Sequence, residues 1–389
     1  MLVVVGLTAI IAMAGLALDT AHVLLNKSRL QSALDAAALA SAKVLDQTSS
    51  TVKATTAAAN VFNLNVLQFP ELHAAALTLT TEYSATLNPF NPGTLPATFV
   101  RASVTGFATQ MSLITVLGIN SINVAGTAVA GPSPSLVQAC NIVPVFMCAD
   151  TTAGAPLYGY SPNQVVGLNQ VTGTTSPIGP GNYGLLALGG NGAAIVRTNL
   201  AGDYASCASS GGTAATEPGV AAGPVSQGIN TRFNQYQGGL SSVTYPPDVI
   251  NSAAHQTSLI TAGNGNIMQG GTVVTTASQL TFNYANYTAL QQAGTYDTQP
   301  LPGGIAAYGR RILAVPLGDC TGAANGRNSV TVSGFACVFL LQALGNGSND
   351  TIYGQIITGC DAGGRAGAGS GAIGPHVIEL YKSAGSSDS

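Results

Sequence analysis

The chain has 389 residues and a formal net charge of −3, and only 7% of its side chains are charged, against about 25% in an average soluble protein. With 12 Lys and Arg against 15 Asp and Glu, and no basic cluster beyond Arg310-Arg311, electrostatic binding to nucleic acid is excluded. The exterior must be covered by Thr, Asn, Ser, Gln and Gly, a composition common in surface-assembled β proteins and unusual in cytosolic enzymes.

Residues 1–46 read as one long helix. The opening MLVVVGLTAIIAMAGLAL carries no charge before Asp19 and spans ~27 Å at the helical rise, near the thickness of a bilayer core. No Lys or Arg precedes it, so it reads as a retained anchor or the start of a processed chain rather than a secretory signal. The following DTAHVLLNKSRLQSALDAAALASAKVLD has neither proline nor glycine and many strong helix formers. Leu30, Leu34, Ala37, Ser41 and Val44 form a narrow seam of small and apolar side chains at helical spacing. It fits either another helix or this chain's own globular part. Gly6 and Gly15 would let a neighbouring helix approach closely.

Ser50 is placed to cap a second helix over 52–67, and Pro70 reads as its terminus. Strands are expected at 73–87 and 96–107, a helical patch at 109–118 and a third strand at 119–131. The linker GPSPS separates this part from a distal region dominated by strands and Gly/Pro turns. Its probable strands are 163–171, 182–189, 271–277, 310–318, 328–344, 352–359 and 376–382, the second half of 328–344 being equally helix-like. A short helix is expected at 192–200.

The fold class is therefore α+β: a long N-terminal hydrophobic helix (1–46), a small α+β module (47–131), a β-rich disulfide-containing distal domain (132–382) and a flexible tail (383–389). Six cysteines, Cys140, Cys148, Cys207, Cys320, Cys337 and Cys360, form no C-x-x-C pair. An even count in an exported chain predicts three disulfides among 15 possible pairings. Cys140–Cys148 is the favoured pair, since CNIVPVFMC can fold back at Pro144.

Signatures of chemistry are sparse. The string 179–184 matches G-x-G-x-x-G but is followed by strand-like LLAL, so it reads as a turn, with Asp203 no ribose ligand. The four histidines, His22, His73, His255 and His376, form no helical zinc pair. G-x-S-x-G is absent. The loops 263–266 and 346–350 lack the carboxylates of a calcium site. No catalytic, cofactor or metal residues are expected, and no cofactor. Tyr158, Tyr160, Tyr236, Tyr245, Tyr284, Tyr287 and Tyr296 fall in Gly/Asn/Pro-rich segments and read as exposed contact area between subunits.

GLALD followed by KSRLQSALDAAALASA resembles the N-terminal region of TadE/TadG-like proteins of the Tad (Flp) pilus system, and more loosely so does the sequence up to Gly131. PGNYGLLALGGNG, GPVSQGINTRF and GRRILAVPL resemble larger TadG-like proteins. Val5 stands where pilins usually carry glutamate, if residue 1 is the mature end. The D-x-S-x-S string of von Willebrand-type metal sites does not occur. The resemblance implies a pilin-like subunit of an extracellular filament, helices inside and β domains outside, inserted in the inner membrane before assembly. Its partners would be copies of itself and other pilus subunits. The alternative is a membrane-anchored assembly factor or adhesin that does not polymerise. Low charge favours the filament, because surfaces that pack against one another shed Lys and Glu.

Overall fold

The computed structural model describes residues 2–168, 182–202, 204, 206–219, 221–320, 327–345, 350–367 and 373–382. Gly179–Gly181 of the glycine-rich string, Asp203, the 346–349 part of one candidate cation loop and the tail 383–389 lie outside the described residues. The chain divides into two units, Met1–Pro132 with the segment from Ile378, and Ser133–Val377.

The N-terminal unit opens with α1, Leu2–Thr48. Ser50 caps α2, Thr51–Val66, by accepting from the Lys53 N–H. Pro70 does not simply end this zone. It opens a short helix, α3 (Pro70–Ala74), because its missing N–H costs nothing in a first helical turn. The expected strand at 73–87 shrinks to β1, Thr80–Ser84, since its Ala-rich start continues from that helix. β2 (Phe99–Gln110) and β3 (Ser121–Pro132) follow, separated by a 3-10 turn at Ile114–Leu117.

The sheet is antiparallel, in the order β1-β2-β3 and then the C-terminal strand Ile378–Tyr381. That last strand, read from sequence as closing the distal domain, pairs with Val129–Pro132 instead. The Tyr381 hydroxyl donates to the Pro132 carbonyl. The ring meets Phe99 edge-on at 5.7 Å.

α1 and α2 cover one face of this sheet. Ala54, Ala58, Phe62 and Val66 of α2 join Leu30, Ala33, Leu34, Ala37, Ala38, Ala42 and Leu45 of α1 over Val100, Ala102, Val104, Val124, Ala128 and Ala130. Gly126 lets the helix sit close: a Cβ there would lie 2.8 Å from the Leu34 Cδ1.

The distal unit is built on an antiparallel hairpin, Ile312–Asp319 and Ser329–Leu340, extended by Tyr353–Ile357 and Val165–Gly167. Met147–Cys148, Thr213–Pro218 and Asn182–Leu186 complete the sheet. From Phe335 to Leu340 alternate residues bury on opposite faces. Phe335, Cys337 and Phe339 join one core with Val249, Ile250, Phe282 and Tyr287. Ala336, Val338 and Leu340 join the other, under the helices Ala193–Ala201 and Ala222–Asn230. Both faces being covered, this segment is strand throughout, and its second half is not helical.

Three disulfides tie this unit: Cys140–Cys207, Cys148–Cys320 and Cys337–Cys360. The expected Cys140–Cys148 pair does not form. Leu136–Cys140 pairs as a strand with Cys207–Ser209, placing Cys140 opposite Cys207. Met147–Cys148 runs instead along the strand that leads to Cys320.

Candidate functional site

α1 is the element that the sequence singled out. Its buried side chains trace one stripe: Gly15, Asp19, Asn26, Leu30, Leu34, Ala37, Ser41 and Leu45. The seam of Leu30, Leu34, Ala37 and Ser41, which the sequence left open to either another helix or this chain's own globular part, is turned onto this chain's own sheet, all four at 0% exposure, while Val44 is half-buried. Ser41 Oγ lies 3.3 Å from the Tyr83 hydroxyl, which also bonds Thr55 Oγ1 at 2.8 Å. The seam is therefore an internal joint between α1, α2 and β1.

Further toward the N-terminus the helix is clamped at three points. Gly15 lies under Leu113, whose Cβ would be 2.8 Å from a Cβ at position 15. The close approach that Gly15 allows is thus to its own loop. Gly6 falls in the first turns of α1. One turn on, Asp19 accepts from the N–H groups of Ser112, Leu113 and Ile114, at 3.1, 2.9 and 2.6 Å. It caps the 3-10 turn with a charge-assisted bond to each orphan donor. The Ile114 bond above all, with those of Leu113 and Ser112, holds its carboxyl below the usual range against the opposing effect of burial. Then His22 Nε2 meets Glu71 Oε2 at 2.7 Å, and the Arg29 guanidinium lies over the Phe69 ring at 4.8 Å. Desolvation works to raise the Glu71 pKa, but bonds from Asn26 and His22 outweigh it and hold it down.

Outside this stripe α1 presents apolar side chains to solvent. Met13, Leu18 and Leu24 are 64%, 63% and 60% exposed, and Leu16 and Leu25 are also exposed. Among the described residues no helix is long and apolar enough to cross a membrane. Asp19, His22 and Asn26, which follow the apolar run 1–18, hold the helix to its own unit.

In the distal unit the tyrosines correct a second expectation. None of the seven is exposed. Tyr158 donates to the Ser333 carbonyl, Tyr160 to that of Cys148 and Tyr236 to that of Tyr245. Tyr284 and Tyr287 lie on the helix Tyr284–Ala293. The Tyr287 hydroxyl donates to Asp248 Oδ2 at 2.9 Å inside the core. Burial pushes the Tyr160 phenol up to about 12. These rings are inward pegs that fasten irregular chain to the sheet.

Asp248 also receives the Arg311 and Ile250 N–H groups. The fully buried Arg311 guanidinium donates to the carbonyls of Leu340, Leu341, Ile250 and His255. It stacks within 4.6–5.8 Å of Phe339, Phe233, Phe282 and Tyr287. Nothing in the sequence marked it beyond the Arg310-Arg311 doublet.

One constellation looks catalytic until its wiring is followed. His255 Nδ1 lies 2.9 Å from Asp297 Oδ2 and 3.2 Å from Ser252 Oγ. Carboxylate and hydroxyl share one ring nitrogen, whereas a base that activates a nucleophile needs them on opposite nitrogens. Asp297 also accepts from the Asn251 and Ser252 N–H groups, so the trio staples a turn. Among the described residues no cluster of three or more His, Cys, Asp or Glu side chains is placed to hold a metal ion.

Residues 1–44 match a protein-family profile described as "Putative Flp pilus-assembly TadE/G-like". No curated protein and no solved structure gives a significant match. The matched segment is α1 from its apolar start through the clamp and the whole of the seam, to Val44. The first 44 residues of this chain are thus similar to the TadE/G-like Flp pilus-assembly family, as the motif from Gly15 onward suggests.

Proposed function

We propose that the chain is a structural subunit of a Tad-type envelope filament, and that the exposed face of α1 is its assembly surface. The observation carrying this reading is the division of α1 into two faces. One stripe is fastened to its own unit from Gly15 to Leu45, while Met13, Leu16, Leu18, Leu24 and Leu25 remain in solvent. Each such side chain is worth ~1.5–3 kcal/mol when removed from water, so a row of them on a rigid helix favours a partner. A second copy offers the same row, and like helices satisfy one another in a repeating contact. Assembly contacts on this reading come from the outer face, not from the Leu30–Ser41 seam.

The test separates the two faces. Negative-stain microscopy of sheared surface material should show fibres for the natural chain and none for Leu24→Asp, with the melting temperature of the purified protein unchanged within a few degrees. Leu30→Asp should instead unfold the N-terminal unit, because it places a charge in a closed core. Fibres that persist in Leu24→Asp and in Leu18→Asp would leave a non-polymerising envelope component as the better account.

A further inference from the structure

The exposed face of α1 is wider than one neighbour needs. With Gly15 set at zero and a turn of about 100° per residue, the inward side chains of Gly15, Asp19, Asn26 and Leu30 fall within about 60° of arc. The exposed large side chains between residues 13 and 25 begin at Leu16, about 100° round, and end at Leu18, about 300° round. That arc of about 200° is twice the ~100° stripe with which a helix packs on one partner.

These large side chains are not spread evenly over the arc. Met13, Leu16 and Leu24 form one row at about 100–180°, and Leu18 and Leu25 a second at about 280–300°. The sector between the rows holds Ala14, Ala17 and Ala21, also exposed. The rows border different parts of the N-terminal unit. The Leu18 row runs beside His22 and Arg29, which hold Glu71 and the Phe69 ring. The Leu24 row lies in line with Gln31, whose amide donates to the Thr127 carbonyl of β3.

Two unlike rows decide what kind of contact can grow. A row that meets its own counterpart is closed by a two-fold axis and ends at two copies. A row that meets the other row leaves one of each open on the pair, and the contact repeats into a ring or a filament. The spacing of the side chains suits the second arrangement. Leu16 and Leu24 leave a gap of about 12 Å along the helix, over Thr20. In a parallel neighbour shifted by about 3 Å, Leu18 falls over Thr20, and Leu24 falls between Leu18 and Leu25.

We infer that copies of this chain associate through unlike sides of α1, the Met13–Leu16–Leu24 row of one against the Leu18–Leu25 row of the next, with the helices parallel. The inference rests on the assembly reading and deepens it, since that reading requires only that the outer face be shared between copies.

Two variants of the full chain test it, each with one row damaged: Leu16→Asp with Leu24→Asp, and Leu18→Asp with Leu25→Asp. All four positions face solvent, so both variants should melt within a few degrees of the natural chain. Neither should form fibres in negative stain, and each alone should sediment as a monomer. Mixed in equal amounts, they should form a one-to-one dimer and no fibre, because each supplies the row that the other lacks. A dimer or a fibre of either variant alone would overturn the inference while leaving assembly in place, since each row would then meet itself. A mixture that stays monomeric would also overturn it. Should a variant lose its fold, a photo-cross-linking residue in place of Leu16 reads the same contact in fibres. It should link to Leu18 or Leu25 of the neighbour, and links to the neighbour's residue 16 or Leu24 instead would contradict the inference. If the natural chain forms no fibres, the assembly reading itself has failed, a result distinct from all of these.

Discussion

Asp19 gathers three successive N–H groups onto one carboxylate, and its lowered pKa makes that contact dependent on pH. For a carboxylate whose folded-state value is depressed, the stabilisation is complete above its unfolded value. It is lost as pH falls through the folded value. Glu71, also held down by Asn26 and His22, has the same sign. The stability of the N-terminal unit should therefore hold near neutrality and fall on acidification below about pH 4. Asp19→Asn should flatten that acid limb in thermal melts followed against pH; an unchanged limb would remove the carboxylate from the clamp. Arg311 poses the opposite situation, a cation enclosed by carbonyls and aromatic rings. Arg311→Met would leave those carbonyls without their donor and Asp248 without the positive charge beside it, though its bond from the residue-311 N–H would remain. Removing one member of a buried charge pair costs about 3–5 kcal/mol, which denaturant unfolding of the distal unit should register.

Elements differ in how far their sequence declares them. α1 and α2 were legible because period, propensity and the Ser50 cap agree. Pro70 misled because proline both stops a preceding helix and suits a first turn. The strand Ser329–Leu340 was ambiguous because both faces are buried, so its apolar run lost the alternation that marks a half-exposed strand. Tyrosines in Gly- and Asn-rich segments looked exposed, yet the hydroxyls of Tyr158, Tyr160 and Tyr236 find backbone carbonyls, and that of Tyr287 a carboxylate, that only the fold brings near. The clamp residues Gly15 and Asp19 stood out in the motif, but their partners lie some ninety residues on, beyond any local pattern. The disulfides are non-local in the same way. Peptide mapping of unreduced protein should recover Cys140–Cys207, Cys148–Cys320 and Cys337–Cys360. Breaking the bridge that closes 172 residues with Cys320→Ser should cost about 2–5 kcal/mol. A recovered Cys140–Cys148 peptide would contradict the pairing of Leu136–Cys140 with Cys207–Ser209.

For the molecule as a whole, the account rests on α1 having an inner face that belongs to its own unit and an outer face that belongs to another copy. A photo-cross-linking residue introduced in place of Leu24, and separately of Ala37, reads both faces in assembled material. Leu24 is 60% exposed and Ala37 is fully buried. Irradiation at position 24 should yield a covalent dimer whose cross-linked peptide joins residues 2–48 of two chains. At position 37 only links within one chain should form. Interchain links at position 37 with none at position 24 would contradict the account, returning the seam to the subunit interface.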